Sequence, residues 1–429
     1  MKKSYLAALL CGAMVMGTAS VSALAADTTI TFLASQDWVY DAEMELGEKF
    51  EEETGIHVDY QIIPADQYYS VLMTKINSGE CADIFGGQSG RFDIVTQYNV
   101  EENALPLNDE EWISYYDEYA KAETSVGDNV YGMIYFDTTT DFYMVYNKKL
   151  FEEAGIEGVP TTFEEYMADC QLLMDNGIIP FYECTADGWH HVMWFCEIGG
   201  RFEELEPGIA DKLNNNETTF AETEIFKTCL EQIKEMADAG YFGDNYQSDE
   251  YAGMAVALGS GEYAMTMAKP GTIGEIAEAS DGVYTEDDFG LFYIPTLDCQ
   301  VLNVHPVGPT RFIYSGAEHP DEAKQYLAFL ARPENLQYMI DNEPKVENYP
   351  FNADQTPAYS ESTRAFIDGS ENRGTVFQDA VKYLNPQWFD FGQDIIAYLN
   401  GDMEVEEVLA NVDSRRADQA LAAGDEAWS

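Results

Sequence analysis

Aromatic, amide, carboxylate and imidazole side chains gather at a few places in this chain, and their types limit the chemistry on offer. Gln36, Asp37 and Trp38 follow a short apolar run, and Gln88 and Ser89 lie in the small-residue stretch Gly86-Gly87-Gln88-Ser89-Gly90. Trp189, His190 and Trp194 crowd an aromatic segment; His305 sits between Asn303 and Gly308, and Trp388 between Asn385 and Phe391. Flat rings beside groups that donate and accept hydrogen bonds suit a sugar, whose ring has an apolar face and hydroxyl edges. In acid-rich surroundings the same set suits a cationic amine. The competing reading is that tryptophan more often fills a core, and that with 78 acidic residues an Asp near a loop is expected anyway. Loop placement favours Trp38 and Trp388 as ligand-facing.

Other chemistries lack their signatures. The chain has no H-E-x-x-H, no G-x-S-x-G elbow and no G-x-x-x-x-G-K-[ST] phosphate loop, and the glycine-rich stretch 86–90 lacks the phosphate-binding lysine. No CxxC pair or zinc spacing occurs, so neither a metal nor another cofactor is expected. A carbohydrate hydrolase working with two carboxylates stays open as an alternative, because acidic pairs are everywhere. The net charge of −56 disfavours nucleic acid and anionic membrane surfaces, both of which need cationic neutralisation. Disorder does not follow from that charge: 46% of residues are hydrophobic, enough for a core.

Alternating strands and helices must position these residues. Residues 29–34 read as a strand, followed by a helix with Val39, Ala42, Leu46 and Phe50 on one stripe and Glu43, Glu48, Glu51 and Glu52 facing water. Residues 57–63 and 82–85 read as further strands separated by a helix carrying Tyr68, Val71, Leu72 and Ile76. This is a doubly wound α/β opening, in which ligands bind beyond the carboxyl ends of strands, here loops 34–38 and 86–90. Farther on, Asn147 can cap a helix ended by Gly155, and Thr161 with Glu164 has the form of a capping box.

At the N-terminus, Lys2 and Lys3 precede an apolar run and Ala23-Leu24-Ala25, the pattern of a cleaved export signal over residues 1–25. Cys11 has Leu10 before it and makes no convincing lipobox. Export places the protein in the periplasm or at the cell surface. The remaining length of about 400 residues calls for two domains or lobes. Cys81, Cys170, Cys184, Cys196, Cys229 and Cys299 fall mostly on apolar faces and read as buried thiols, although three disulfides are permitted.

The order of motifs over residues 131–181, where Tyr146-Asn147-Lys148 leads through Gly155 and Pro160-Thr161-Thr162 to Asn176-Gly177, resembles the family 1 extracellular solute-binding proteins. Residues 257–265, 289–295, 315–330 and 399–409 resemble the same family. The resemblance implies a type II periplasmic-binding-protein fold, two α/β lobes with a cleft at the hinge. It also implies crossings near residues 136, 270 and 335, with residues 26–136 and 270–335 in lobe 1 and 137–269 and 336–429 in lobe 2. It adds Asp137, at the first crossing, and Lys269, after the returning strand, to the candidate ligand contacts. Its functional implication is a non-enzymatic, monomeric carrier that closes on a carbohydrate and delivers it to an ABC transporter permease. Relatives of this scaffold also bind polyamines, which keeps a cationic ligand in view.

Overall fold

The computed structural model describes residues 28–36, 38–138, 141–343 and 346–428. The expected export signal and Asp37 lie outside the described residues. Thirteen strands are present among the described residues: β1 (Thr28–Ser35), β2 (Ile56–Ile63), β3 (Ile84–Gln88), β4 (Ser125–Val126), β5 (Asn129–Val130), β6 (Gly132–Ile134), β7 (Tyr143–Asn147), β8 (Ile179–Phe181), β9 (Tyr263–Ala268), β10 (Phe289–Phe292), β11 (Leu302–Val304), β12 (Pro309–Ile313) and β13 (Arg373–Thr375).

Composition separates edge from centre in the first sheet, whose order is β2-β1-β3-β12-β6. β1 pairs in parallel with both β2 and β3 and is buried along most of its length. β2 lies at the edge, so Ile56 and Val58 point inward while His57 and Asp59 face water. The helix Asp41–Thr54 covers this sheet with Ala42, Leu46 and Phe50, and Gly55 ends it at φ 77°, donating its N–H to the Glu51 carbonyl. Glu43 departs from the expected water-facing stripe. It is fully buried and accepts a 2.6 Å hydrogen bond from Arg311 on β12, whose guanidinium also donates to the Trp38 carbonyl at 2.8 Å. A buried carboxylate on an apolar face is tolerable because that guanidinium compensates it.

The second sheet has the order β10-β7-β9-β8. Its helix Lys148–Ala154 is capped by Asn147, whose Oδ1 accepts from the N–H groups of Lys149 and Leu150. The next helix, Phe163–Asp175, begins one residue later than the sequence suggests: Thr162 is the cap, and Glu165, not Glu164, reaches back to the Thr161 N–H. Four hydrophobic clusters fill the molecule, and each belongs to one sheet alone. Two lobes therefore have separate cores.

The chain passes from the first sheet to the second between Ile134 and Tyr143, and back between Val304 and Pro309. It leaves the first lobe again between Phe351, bridged to Tyr116, and the helix Glu361–Gly369, where Phe366 packs on Tyr143. Residues 270–304, expected in the first lobe, thus build the second: β10 pairs with β7, and Ile273 and Ile276 join its core. Conversely, Leu336, Met339, Val346 and Tyr349, expected in the second lobe, sit in the core of the first. Both β10 and β12 are short apolar strands preceded by turns, and composition does not reveal which sheet either one joins.

Among the described residues five of the six cysteines are buried and all six are free thiols. Among the described residues no helix is long and apolar enough to cross a membrane.

Candidate functional site between the lobes

The three crossings and the ends of β3 and β9 run side by side, bringing polar groups from both lobes to one seam. Ser89, at the end of β3, is held to the second crossing: its N–H donates to the Gly308 carbonyl at 3.1 Å, and its Oγ accepts from the Gly308 N–H at 2.9 Å. Two residues on, the Arg91 N–H donates to Glu123 Oε2 at 2.9 Å, and the Arg91 guanidinium reaches the Ala380 carbonyl of the other lobe at 3.5 Å. Facing them from the second lobe are Glu197, at the end of the short helix Met193–Cys196, and Gln378 and Asp379 of the turn Phe377–Ala380. Asp141 enters from the first crossing.

These groups form one electrostatic unit. His305 Nδ1 lies 2.9 Å from Asp379 Oδ2; burial opposes the charged imidazole, but the Asp379 carboxylate outweighs it and lifts the His305 pKa. Glu123 is pushed up to about 7 by burial and by the charge of Asp379 across the seam, with Arg91 pulling the other way. Glu197 is raised well above the carboxylate range by burial and then by Asp141, with which it shares a hydrogen bond. Gln378 Nε2 donates to the other Glu197 oxygen at 3.0 Å. With that hydrogen bond joining Asp141 and Glu197, Gln378 Oε1, on a residue only 7% exposed, is the acceptor in this unit left without a partner, so whatever completes it must donate a hydrogen bond.

A cavity of about 700 Å³ opens beside this seam, lined by Tyr40, Phe136, Asp137, Lys269, Glu286 and Glu347. Asp137 Oδ2 accepts from the N–H groups of Glu347 and Asn348, each at 3.0 Å, tying the first crossing to the segment before the third. Burial and the Asp137 charge push Glu347 up to about 7 against the pull of Lys269.

The residues singled out from sequence divide into three groups. Ser89, Asp137, Lys269 and His305 come to the seam or its cavity, and Gln88 stands half-buried at the end of β3 beside them. Trp38 is half-buried on the first lobe against Tyr68 and Tyr69, with Gln36 exposed nearby. Trp388 and Trp189 are half-buried together on the second lobe, the Trp388 indole N–H donating to the Trp189 carbonyl at 3.1 Å. Trp194 and His190, by contrast, are wholly inside the second lobe. There Glu183 takes His190 Nδ1 at 2.5 Å on one oxygen and Trp194 Nε1 at 2.7 Å on the other, while His190 Nε2 meets the Met267 carbonyl at 3.0 Å. These two residues are structural because every polar atom they offer is used internally.

Glu183, Cys184 and His190 bring three potential ligand atoms within 4.8 Å of one another. A metal there would have to displace hydrogen bonds that already satisfy the Glu183 carboxylate and both His190 nitrogens. The cluster is better suited to its role as a buried ion pair. Sequence reasoning missed Arg91, Glu123, Asp141, Glu197, Gln378 and Asp379. One signal was present: Glu197 is an isolated acid inside the apolar run 192–198, a position where burial is implied and compensation demanded.

The model of the bacterial extracellular solute-binding proteins matches residues 36–337. Among curated proteins, the osmoprotective compounds-binding protein GgtB of Synechocystis sp. is 29% identical over 158 residues, 35% of this chain and 36% of that protein. The chain thus spans about a third of that relative's length. Among solved structures, a chitin oligosaccharide binding protein superposes with a TM-score of 0.73 at 17% identity, covering 92% of this chain and 99% of the other. The GacH receptor of Streptomyces glaucescens gives 0.69 at 17% identity over 93% and 99%. The sugar-binding protein MalE of Xanthomonas citri gives 0.69 at 16% identity over 93% and 100%. At these identities the likeness establishes the fold: two α/β lobes of the periplasmic-binding-protein type.

Proposed function

This chain belongs to the bacterial extracellular solute-binding proteins, and from that premise we propose that it captures a sugar or oligosaccharide between its lobes and presents it to an ABC transporter permease. The observation that carries the reading is that Arg91, held by Glu123 on the first lobe, reaches the Ala380 carbonyl of the second. Groups contributed by both lobes can hold a ligand only when the lobes are together, so binding energy is converted into closure about the three crossings. Carboxylates and the Gln378 amide are suited to sugar hydroxyls, which donate in the plane of the ring. Half-buried Trp38 on the first lobe and Trp189 and Trp388 on the second offer flat apolar faces. The sugar class is supported by the names of similar proteins, which include a chitin oligosaccharide binding protein and a receptor solved with acarbose.

A carrier should bind without turnover. Thermal-shift screening of the mature protein against mono- and oligosaccharides is expected to find ligands that raise the melting temperature, because a ligand held only by the folded state stabilises it by mass action. Calorimetry should then give one site per chain, and product analysis after long incubation should return the sugar intact. Cleavage of an oligosaccharide would replace the carrier reading with a hydrolase.

A further inference from the structure

The loop that carries Trp38 is held from beneath by a buried arginine. Arg311 on β12 is 1% exposed, and its guanidinium reaches three elements at once. Nη2 donates to the Trp38 carbonyl at 2.8 Å and to Glu43 Oε2, on the helix Asp41–Thr54, at 2.6 Å; Nη1 donates to the Pro309 carbonyl at 3.1 Å. That carbonyl also accepts from the Tyr135 N–H at 3.2 Å, and the guanidinium lies 5.3 Å from the centre of the Tyr135 ring. Tyr135 begins the first crossing and Pro309 ends the second, so one side chain joins both crossings to the loop 36–40. A second tie runs beside it, where Tyr40 stacks on Phe136 with ring centroids 6.2 Å apart.

The Trp38 indole is seated as well as its backbone. It rests against Gly86 of β3, where a Cβ would come within 3.1 Å of Trp38 Cε3, and Tyr68 and Tyr69 meet it edge-on at 5.2 Å and 6.1 Å. Trp38 nevertheless stays half-buried, so part of it is accessible. Stability alone does not call for the ion pair behind it. Buried pairs can often be replaced by apolar residues of similar volume without loss, and Arg311 Nε has no hydrogen-bond partner. An apolar pair could not hold a backbone carbonyl, and a lysine could not reach three acceptors with one planar fork.

We propose that Arg311 is the positioning residue of a saccharide platform: by anchoring the Trp38 carbonyl to both crossings, it fixes where the indole meets a ligand captured between the lobes. The proposal rests on the interlobe-capture reading and deepens it, because it makes the hinge and the first-lobe contact one unit. A platform set in place before the ligand arrives lowers the ordering cost of binding.

The test uses the whole mature protein labelled with 5-fluorotryptophan, whose six tryptophan signals are read by fluorine NMR, with Trp38→Phe assigning the one of interest. Glu43→Leu combined with Arg311→Met replaces the ion pair by apolar side chains; Arg311→Lys keeps the charge but not the fork, and serves if the paired variant fails to fold. The paired variant should unfold in urea near the wild-type midpoint, while its Trp38 signal shifts or broadens and its Trp388 signal does not. Maltotriose, N,N′-diacetylchitobiose and glucose are the probes. A probe that moves the Trp38 signal of the wild-type protein should bind either variant about three- to tenfold more weakly, and the same substitutions should cause no further loss in a Trp38→Ala background. A Trp38 signal unmoved in both variants overturns the positioning role. A displaced signal with unchanged affinity, or an equal loss in the Trp38→Ala background, assigns the pair to the scaffold and also overturns it. Binding of a probe that leaves the wild-type Trp38 signal in place overturns the platform while interlobe capture stands. No binding of any probe removes the saccharide, and the platform with it.

Discussion

Two buried polar clusters in the second lobe each centre on a glutamate and do opposite things. Around Glu183, every acceptor has a donor: His190 and Trp194 fill both carboxylate oxygens, and Met267 takes the remaining imidazole N–H. Around Glu197, fourteen residues farther along the chain and in the same lobe, the carboxylate meets another carboxylate and an amide whose oxygen has no partner. The first cluster lies inside one core and is closed on itself. The second lies at the edge of the lobe, where Gln378 comes from the same lobe and Asp141 from the first crossing. A saturated network specifies a fold, whereas an unsaturated one that spans a hinge is poised for something that arrives.

That contrast can be broken most severely at Glu183. Glu183→Ala leaves the His190 imidazolium without its counter-charge inside the core, and removing one partner of a buried pair costs about 3–5 kcal/mol. Urea unfolding should show the loss, and ligand affinity of the protein that still folds should be nearly unchanged. Asp379→Asn should do the reverse, weakening ligand binding about tenfold to hundredfold, the worth of one to two charge-assisted hydrogen bonds. Its melting temperature should hold, since a crowded carboxylate has been neutralised; calorimetry and thermal melts decide.

A smaller effect follows from pH. Glu123 and Glu347 are each raised from the ordinary carboxylate value to about 7 with the lobes placed as in this structure. Closed protein therefore binds protons that open protein releases, and closure of the ligand-free form is favoured in acid and loses that support as pH rises through about 7. Small-angle scattering without ligand should find a more compact ensemble near about pH 5 than near about pH 8. The mildest change is Trp388→Ala, which removes one aromatic face and the hydrogen bond to Trp189. A few-fold loss of affinity, about 0.5–1.5 kcal/mol, is expected without unfolding; unchanged titration curves would place Trp388 outside the site.

Local rules read from sequence carried far in the scaffold. The capping of 148–154 by Asn147, the glycine stop after the helix Asp41–Thr54 and the parallel opening of the first sheet all follow from residues next to one another. Lobe membership did not, because whether β10 or β12 rejoins the first sheet depends on pairing with strands more than a hundred residues away. The site shows the same division. Ser89, Asp137, Lys269 and His305 are loop residues at strand ends or crossings, a position visible in the pattern. Asp141, Glu197 and Asp379 become a cluster only when segments distant in the chain pack together, and in a chain with 78 acids only Glu197, alone in an apolar run, carries a local mark. Trp194 and His190 misled in the opposite sense: an aromatic, imidazole-rich stretch looks like a binding loop until Glu183 is placed against it.

The central claim is that the ligand is held by both lobes at the carboxylate seam. A crystal structure of the mature protein with the sugar that most raises its melting temperature tests this directly. Ligand hydroxyl groups are expected within hydrogen-bond distance of Glu197 or Asp141 and of Asp379, with Glu123 or Arg91 closing from the first lobe. A ligand bound on one lobe alone, or seated away from all four carboxylates, would contradict it.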